Sequence, residues 1–141
     1  MISKAIDIQV EGYWRYVNRQ GIPTLSGIYF VYECANNKYN NSINLLKLLY
    51  VGESQNVHGR IQNHEEQQNW LRFVKSGNEL CFSVGKVEPK DRERVEAAII
   101  FTHKPICNKE YKNTFPYDFS SIILSGGNRF LKKEFTIEKS E

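Results

Sequence analysis

The sequence has few cysteines and spaces them widely. Its 141 residues include three, Cys34, Cys81 and Cys107, and no two of them stand in a Cys-x-x-Cys spacing. An odd, dispersed set predicts neither a disulfide framework nor a zinc ribbon. We therefore expect all three to be reduced side chains that pack in the interior.

Long apolar runs are missing as well. The longest, residues 43–49, is interrupted by polar side chains, and it is far shorter than the roughly 18–20 residues that a membrane helix needs. Residues 1–7 lack the apolar stretch and the cleavage site of a signal peptide. These absences predict a cytoplasmic protein with no membrane partner.

Charge of one sign is not in large excess. Nineteen basic and sixteen acidic side chains give a net charge of +3, which is compatible with a polyanionic partner without requiring one. The composition is that of an ordinary globular chain. The length, without repeats or a linker, predicts a single domain over residues 1–141 with one core.

Alternating and β-branched segments predict strands, and periodic apolar spacing predicts helices. The predicted strands cover residues 5–10, 26–34, 45–52 and 79–87; the predicted helices cover 54–66, 67–75 and 91–102. The asparagine-rich stretch 35–42 is a loop or the tip of a long hairpin. Residues 120–124 and 130–137, around a glycine turn, predict an added C-terminal hairpin. We expect an α+β domain with three central strands and helices on both sides.

Arg60 and His64 are four residues apart in the first predicted helix, so we expect both on one helix face. Val57 and Ile61 form the neighbouring apolar stripe that would anchor the helix. The planar guanidinium of Arg60 matches phosphate oxygens, and His64 adds a titratable imidazole. Taken alone, the same spacing is also typical of an ordinary solvated helix face.

Glu96 stands in the most apolar part of the third predicted helix, residues 94–101. A carboxylate there must be paired, metal-bound or at the edge of a cleft, because desolvating an unpaired charge is costly. Magnesium often takes only one or two carboxylates and keeps its waters, so Glu96 is a candidate ligand. An ion pair with Arg92 or Arg60 is the alternative.

Tyr29 and Tyr50 each lie beside a glycine on neighbouring predicted strands, and Asn108 follows the third helix. Taken singly, the tyrosines are typical core residues and Asn108 is a typical turn residue. Together with Arg60 and Glu96 they supply what metal-assisted phosphodiester cleavage needs, namely phenols, a fixed cation and a carboxylate.

In this order, the residues resemble the signature of the GIY-YIG nuclease superfamily. The resemblance covers residues 26–108, and its elements are Gly27-Ile28-Tyr29, Tyr50-Val51-Gly52, Arg60, His64, Glu96 and Pro105-Ile106-Cys107-Asn108. It implies an α+β fold with a small central three-stranded antiparallel sheet flanked by helices, on which the terminal extensions pack. It also implies a divalent-metal-dependent endonuclease that hydrolyses DNA to 5′-phosphate and 3′-hydroxyl ends.

The resemblance also suggests a role for each catalytic candidate. Those candidates are Tyr29, Tyr50, Arg60, His64, Glu96 and Asn108. Glu96 would hold one Mg²⁺ or Mn²⁺, and Arg60 would neutralise charge on the phosphate. Tyr29 is the first candidate for the general base, tuned by the second phenol or the imidazole, and Asn108 would orient Glu96 or the strand ends.

Two departures from the family pattern concern target choice. The span between the two tripeptides is longer than in compact members, and the chain has no room for a separate DNA-binding domain. Candidate phosphate contacts are Lys38, Lys47, Arg72, Lys75, Lys86, Arg129, Lys132 and Lys133. The DNA could be duplex, branched or single-stranded, and clean double-strand cleavage would need a homodimer or sequential nicking.

Two other functions remain open from the sequence. A chain with this signature could bind nucleic acid without cleaving it. Alternatively, the matching residues could be structural parts of a small-molecule or protein-interaction domain, in which case Tyr29, Arg60 and Glu96 would lie on different surfaces.

Overall fold

A six-stranded mixed sheet organises the protein, and it curves into a half-barrel. The computed structural model describes residues 4–37 and 42–141. The strands are β1 (Lys4–Arg15), β2 (Gly27–Asn37), β3 (Ser42–Ser54), β4 (Glu79–Lys86), β5 (Ser120–Gly126) and β6 (Glu134–Ile137). Their spatial order is β3-β2-β4-β1-β5-β6, which places β3 at one edge.

Three short helices accompany the sheet in the described residues. They are α1 (Val57–Gln62), α2 (Gln67–Leu71) and α3 (Arg92–His103), with 3-10 turns at Tyr16–Gly21 and Pro89–Asp91. Asn56 is the N-cap of α1, where its side chain accepts a hydrogen bond from the backbone N–H of Gly59. None of these helices is long and apolar enough to cross a membrane.

The predicted α+β architecture, a small three-stranded sheet flanked by helices with an appended hairpin, is wrong. Strand β1 is longer than its alternating segment suggested, and it pairs on both sides, antiparallel with β4 and parallel with β5. Strands β5 and β6 do pair antiparallel, but they extend the main sheet instead of forming an appendage. Strand covers 40% of the chain and helix 24%, so the sheet and not the helices sets the architecture.

Successive side chains of β2 point to opposite faces of the sheet and belong to two separate hydrophobic clusters. Ile28 and Phe30 pack with α3 on one face, whereas Tyr29 and Val31 pack with α1 and α2 on the other. This alternation follows from the period of two in an extended strand. It places Tyr29 on the face where α1 and α2 lie.

The hairpin of β2 and β3 is confirmed, since pairing continues as far as Asn37 opposite Ser42. The tip, residues 38–41, lies outside the described residues, as does the start of the chain at 1–3. The third predicted helix is confirmed as α3, and all three cysteines are free and buried.

The first two predicted helices end earlier than expected. Asn63, with φ −149° and ψ 66°, leaves the helical conformation directly after α1, so this helix ends at 62 and not at 66. Helix α2 ends at 71 and not at 75. His64 is therefore in the connection between α1 and α2, and the expectation that it shares a helix face with Arg60 is wrong.

Candidate active site

Two tyrosines from neighbouring strands lie on the same face of the sheet. Tyr29 pairs with Gly52, and Val31 pairs with Tyr50, so the phenols are diagonal neighbours with ring centroids 6.2 Å apart. The next pair joins Tyr32 to Leu48, which leaves one extra residue on β3 as a bulge. The register is regular between the Tyr29–Gly52 and Val31–Tyr50 pairs, and directly opposed residues share a face, so Tyr50 faces the same side as Val31 and Tyr29.

The glycines of the two tripeptides are required by close contacts. A Cβ atom on Gly52 would lie 2.2 Å from Cζ and 2.3 Å from Oη of Tyr29, and one on Gly27 would lie 2.0 Å from the carbonyl oxygen of Gly85. The Tyr29 ring therefore lies directly over Gly52. Any side chain at position 52 would displace the phenol.

His64 contacts the hydroxyl of Tyr29. Its Nε2 atom is 2.7 Å from Tyr29 Oη, and its Nδ1 atom accepts a hydrogen bond from the backbone N–H of Glu66 at 3.0 Å. Because Nδ1 accepts, the proton of the neutral ring is on Nε2, which donates to Tyr29 Oη. The oxygen of Tyr29 thus accepts from His64, and its own proton is available to another partner.

Trp70 of α2 packs against this pair and was not among the sequence candidates. Its ring centroid lies 4.5 Å from that of His64 and 5.2 Å from that of Tyr50, and the side chain is buried. The signal in the sequence is a lone tryptophan in an otherwise polar segment, residues 62–70. Such a residue is typical of an anchor between a short helix and the core.

Burial keeps the imidazole and both phenols neutral near pH 7. Burial, followed by the charge of Arg60, lowers the pKa of His64 to about 4. Burial also raises the pKa of Tyr29 far above its ordinary value, whereas the charge of Arg60 acts in the opposite direction. Burial and the charges of Glu96 and Glu66 raise the pKa of Tyr50 to about 12.

Arg60 lies at the end of α1 and forms a bidentate pair with Glu65. Nη2 donates to Oε1 at 2.6 Å, and Nη1 donates to Oε2. The hydrogen bond from Arg60 lowers the pKa of Glu65 to about 2. Glu65 was not a sequence candidate, since its spacing of five from Arg60 is not a helical neighbour spacing.

Glu96 extends from α3 into a pocket of about 270 Å³ beside Tyr50 and Asn108, whose other acidic residues are Glu66 and Glu110. Burial, followed by the charge of Glu53, raises the pKa of Glu96 to about 7, although the backbone N–H of Glu53 acts in the opposite direction. The pocket therefore contains a half-buried carboxyl group whose ionisation is disfavoured.

Neither arginine proposed as a partner of Glu96 is paired with it. Arg92 donates to Glu53 at 2.7 Å and to Ser26 at 2.8 Å, and Arg60 is occupied by Glu65. Across residues 4–37 and 42–141, no basic side chain forms an ion pair with Glu96. The ion-pair alternative for this residue is therefore not realised in the described chain.

The donor set fits a metal site with one carboxylate and does not fit a multidentate cage. Within the described residues, no three His, Cys, Asp or Glu side chains are grouped closely enough to hold an ion. A divalent cation would neutralise the unpaired charge of Glu96, and Mg²⁺ accepts a site in which water and substrate complete its ligands. Glu96 is the residue that would hold it.

Asn108 holds the edge strand β3 in place beside the pocket through two hydrogen bonds to Val51. Its Oδ1 accepts from the backbone N–H of Val51 and its Nδ2 donates to the carbonyl of Val51, both at 2.9 Å. The side-chain amide therefore pairs with β3 as a neighbouring strand would. Asn108 is a positioning residue for the strand between Tyr50 and Gly52, and each of its two polar atoms makes a hydrogen bond there.

The candidate phosphate contacts are dispersed over the surface. Those in the described chain are all exposed: Lys47, Arg72, Lys75, Lys86, Arg129, Lys132 and Lys133; Lys38 lies outside the described residues. Lys47 is near the pocket, since its charge acts on the buried thiol of Cys107, which lines it. Lys109 also lines the pocket and was missed.

The predicted catalytic residues thus converge on one region. The charges of Arg60 and Glu96 both act on Tyr29 and on Tyr50, so both charged groups lie close enough to the two phenols to influence their pKa values. In comparisons with known proteins, no family model matches the chain, and neither a curated protein nor a solved structure matches it.

Proposed function

We propose that the protein is a divalent-metal-dependent endonuclease that hydrolyses phosphodiester bonds in DNA. The observation that carries this proposal is the unpaired carboxylate of Glu96, which shares a pocket with Tyr50 and acts electrostatically on both phenols together with Arg60. The resemblance of the sequence signature to GIY-YIG nucleases supports the same reaction. The proposal concerns the site residues and not the overall fold.

Arg60 would bind the scissile phosphate and offset the negative charge that develops on its oxygens. Its terminal N–H groups form a fork that matches two phosphate oxygens. Stabilisation of developing charge is usually the largest contribution to catalysis of this kind. A Mg²⁺ or Mn²⁺ ion at Glu96 would supply Lewis-acid stabilisation of the phosphate and of the departing oxygen.

Tyr29 would take the proton of the attacking water in its ionised form, after its own phenolic proton has passed to solvent. Burial opposes this ionisation. The hydrogen bond that His64 Nε2 donates to Tyr29 Oη stabilises the ionised phenol, and so does the nearby charge of Arg60. His64 itself is poorly suited to be the base, because Nδ1 is already used by the Glu66 amide. Its role is to orient the Tyr29 ring and, by donating to Tyr29 Oη, to leave the phenolic proton pointing away from the imidazole.

The test is cleavage of labelled oligonucleotides, presented as duplex, flap, branched and single strands, with Mg²⁺, Mn²⁺ or EDTA. We expect cleavage with either metal and none in EDTA. Glu96→Ala should abolish cleavage, and Arg60→Ala should reduce it by about a hundredfold or more. Tyr29→Phe should reduce it by a similar factor, since it removes the candidate base.

Glu93→Ala is the matched control, because Glu93 is an exposed carboxylate one turn earlier on α3. It should cleave like the native sequence. Cleavage that persists in Glu96→Ala would remove Glu96 from its role. Binding of DNA without cleavage, under both metals and on every substrate, would favour a nucleic-acid-binding protein without turnover.

A further inference from the structure

The guanidinium that would hold the phosphate is already occupied by a carboxylate. Both terminal nitrogens of Arg60 donate to Glu65, one to each carboxylate oxygen, with Nη2–Oε1 at 2.6 Å. This parallel, two-bond arrangement is the one that arginine also forms with phosphate. Glu65 therefore takes up the same donor atoms that a phosphate group would need.

The Glu65 carboxylate can separate from Arg60 at a low cost in free energy. The side chain of Glu65 is 67% exposed and that of Arg60 is 34% exposed, and Glu65 lies in the connection between α1 and α2. If Glu65 rotates into solvent, no charge is left buried without a partner. A buried acidic partner would block the arginine permanently, whereas this one competes for it.

Glu65 is also the ionised partner at every pH relevant to folding, because the hydrogen bond from Arg60 holds its pKa at about 2. His64 does not take over the carboxylate, since its Nδ1 is 4.0 Å from Oε2 and already accepts from the Glu66 amide. Glu65 and Arg60 therefore form a pair that is separate from His64.

We propose that Glu65 is an autoinhibitory partner of Arg60, so that every ligand whose phosphate binds Arg60 must displace the Glu65 carboxylate. The displacement cost is the same for a strand and for an isolated phosphate, and the further phosphate contacts of a strand offset it. This inference rests on the proposed function, because it takes Arg60 to be a phosphate ligand.

The test is a double-mutant cycle on binding of a fluorescent single-stranded oligonucleotide, measured by anisotropy in EDTA so that nothing is cleaved. The four proteins are the native sequence, Glu65→Gln, Arg60→Ala and the double variant. An exposed ion pair contributes a coupling that corresponds to about a two- to fivefold change in Kd. We expect Glu65→Gln to tighten binding by that factor, and to have no effect in the Arg60→Ala background.

Inorganic phosphate is a second probe of the competition for Arg60. Its dissociation constant, measured by displacement of the oligonucleotide, should fall for Glu65→Gln by the same factor of about two to five. Glu93→Gln, which removes one exposed charge on α3, controls for a general electrostatic effect and should leave both dissociation constants unchanged. Circular dichroism of each variant confirms that all of them are folded.

The outcomes separate the two proposals. If Arg60→Ala weakens binding but Glu65→Gln leaves it unchanged, the competition is refuted and Arg60 remains a phosphate ligand. Equal tightening by Glu65→Gln in both backgrounds also refutes the competition, since the effect does not then pass through Arg60. If Arg60→Ala leaves binding unchanged, Arg60 is no phosphate ligand and the proposed function itself loses its support.

Discussion

Replacing Glu96 by glutamine should make the metal-free protein more stable at pH 8. The carboxyl group is half-buried on α3, and its pKa is raised from 4.5 to about 7, first by burial and then by the charge of Glu53. The folded state therefore opposes an ionisation that the unfolded chain undergoes freely. Glutamine has nearly the same shape, carries no charge, and can still accept from the backbone N–H of Glu53.

The size of the effect follows from the two pKa values of Glu96. A rise from 4.5 to about 7 corresponds to at most about 3 kcal/mol. Between these values the folded protein retains a proton that the unfolded chain has lost, so the free energy of unfolding falls as the pH rises. Nearly the full cost is present at pH 8, and about 1 kcal/mol remains at pH 5.

Urea denaturation in EDTA at both pH values measures this cost. The free energy of unfolding of Glu96→Gln should exceed that of the native sequence by up to about 3 kcal/mol at pH 8 and by about 1 kcal/mol at pH 5. Glu93→Gln should show a much smaller difference, because Glu93 is exposed and its charge is only a lesser cause of the raised pKa of Glu96. Magnesium at ten times its Kd should stabilise the native protein by about 1.4 kcal/mol and leave Glu96→Gln unchanged. If Glu96→Gln is no more stable than the native protein at pH 8, the expected cost is refuted, because the charge of Glu96 is then well compensated in the folded state.

Three other perturbations test the geometry of the site. Gly52→Ala should destabilise the protein by about 1–3 kcal/mol in urea denaturation, because its Cβ would lie 2.2 Å from Cζ of Tyr29; native stability would contradict that contact. Asn108→Ala should cost about 2 kcal/mol by the same assay, because it removes both hydrogen bonds to Val51, and an unchanged midpoint would contradict their contribution. In NMR, the ring protons of His64 should not titrate between pH 5.5 and 8, because its pKa is lowered to about 4. The contribution of His64 to stability should accordingly fall as the pH drops from 6.5 towards 4, opposite in sign to that of Glu96, and a ring that titrates near 6.5 would contradict the burial of this imidazole.

Elements held together by neighbours in sequence could be predicted, and the long-range pairing could not. The hairpin that ends at Asn37 and Ser42 and the helix α3 follow from local patterns. The parallel pairing of β1 with β5 joins Ile8 to Leu124, and nothing near either residue in the sequence indicates that partner. This one pairing joins the expected small sheet and the separate hairpin into a single six-stranded sheet.

The candidate site residues could be selected from the sequence, but their contacts could not. His64 reaches Tyr29 from a loop and not from a helix face, so the expected position beside Arg60 on a helix was wrong. Glu65 was missed because its pairing with Arg60 requires the turn after α1. Trp70 was missed because its stacking on His64 depends on where α2 packs.

The side-chain amide of Asn108 also has a consequence for self-association. Strand β3 is at the edge of the sheet, and its outward backbone groups are occupied at Leu49 by the N–H of Cys107 and at Val51 by Asn108. An open strand edge is a template on which a second molecule can add its own strand. The loop that carries Cys107 and Asn108 thereby denies the positions at Leu49 and Val51 to an added strand.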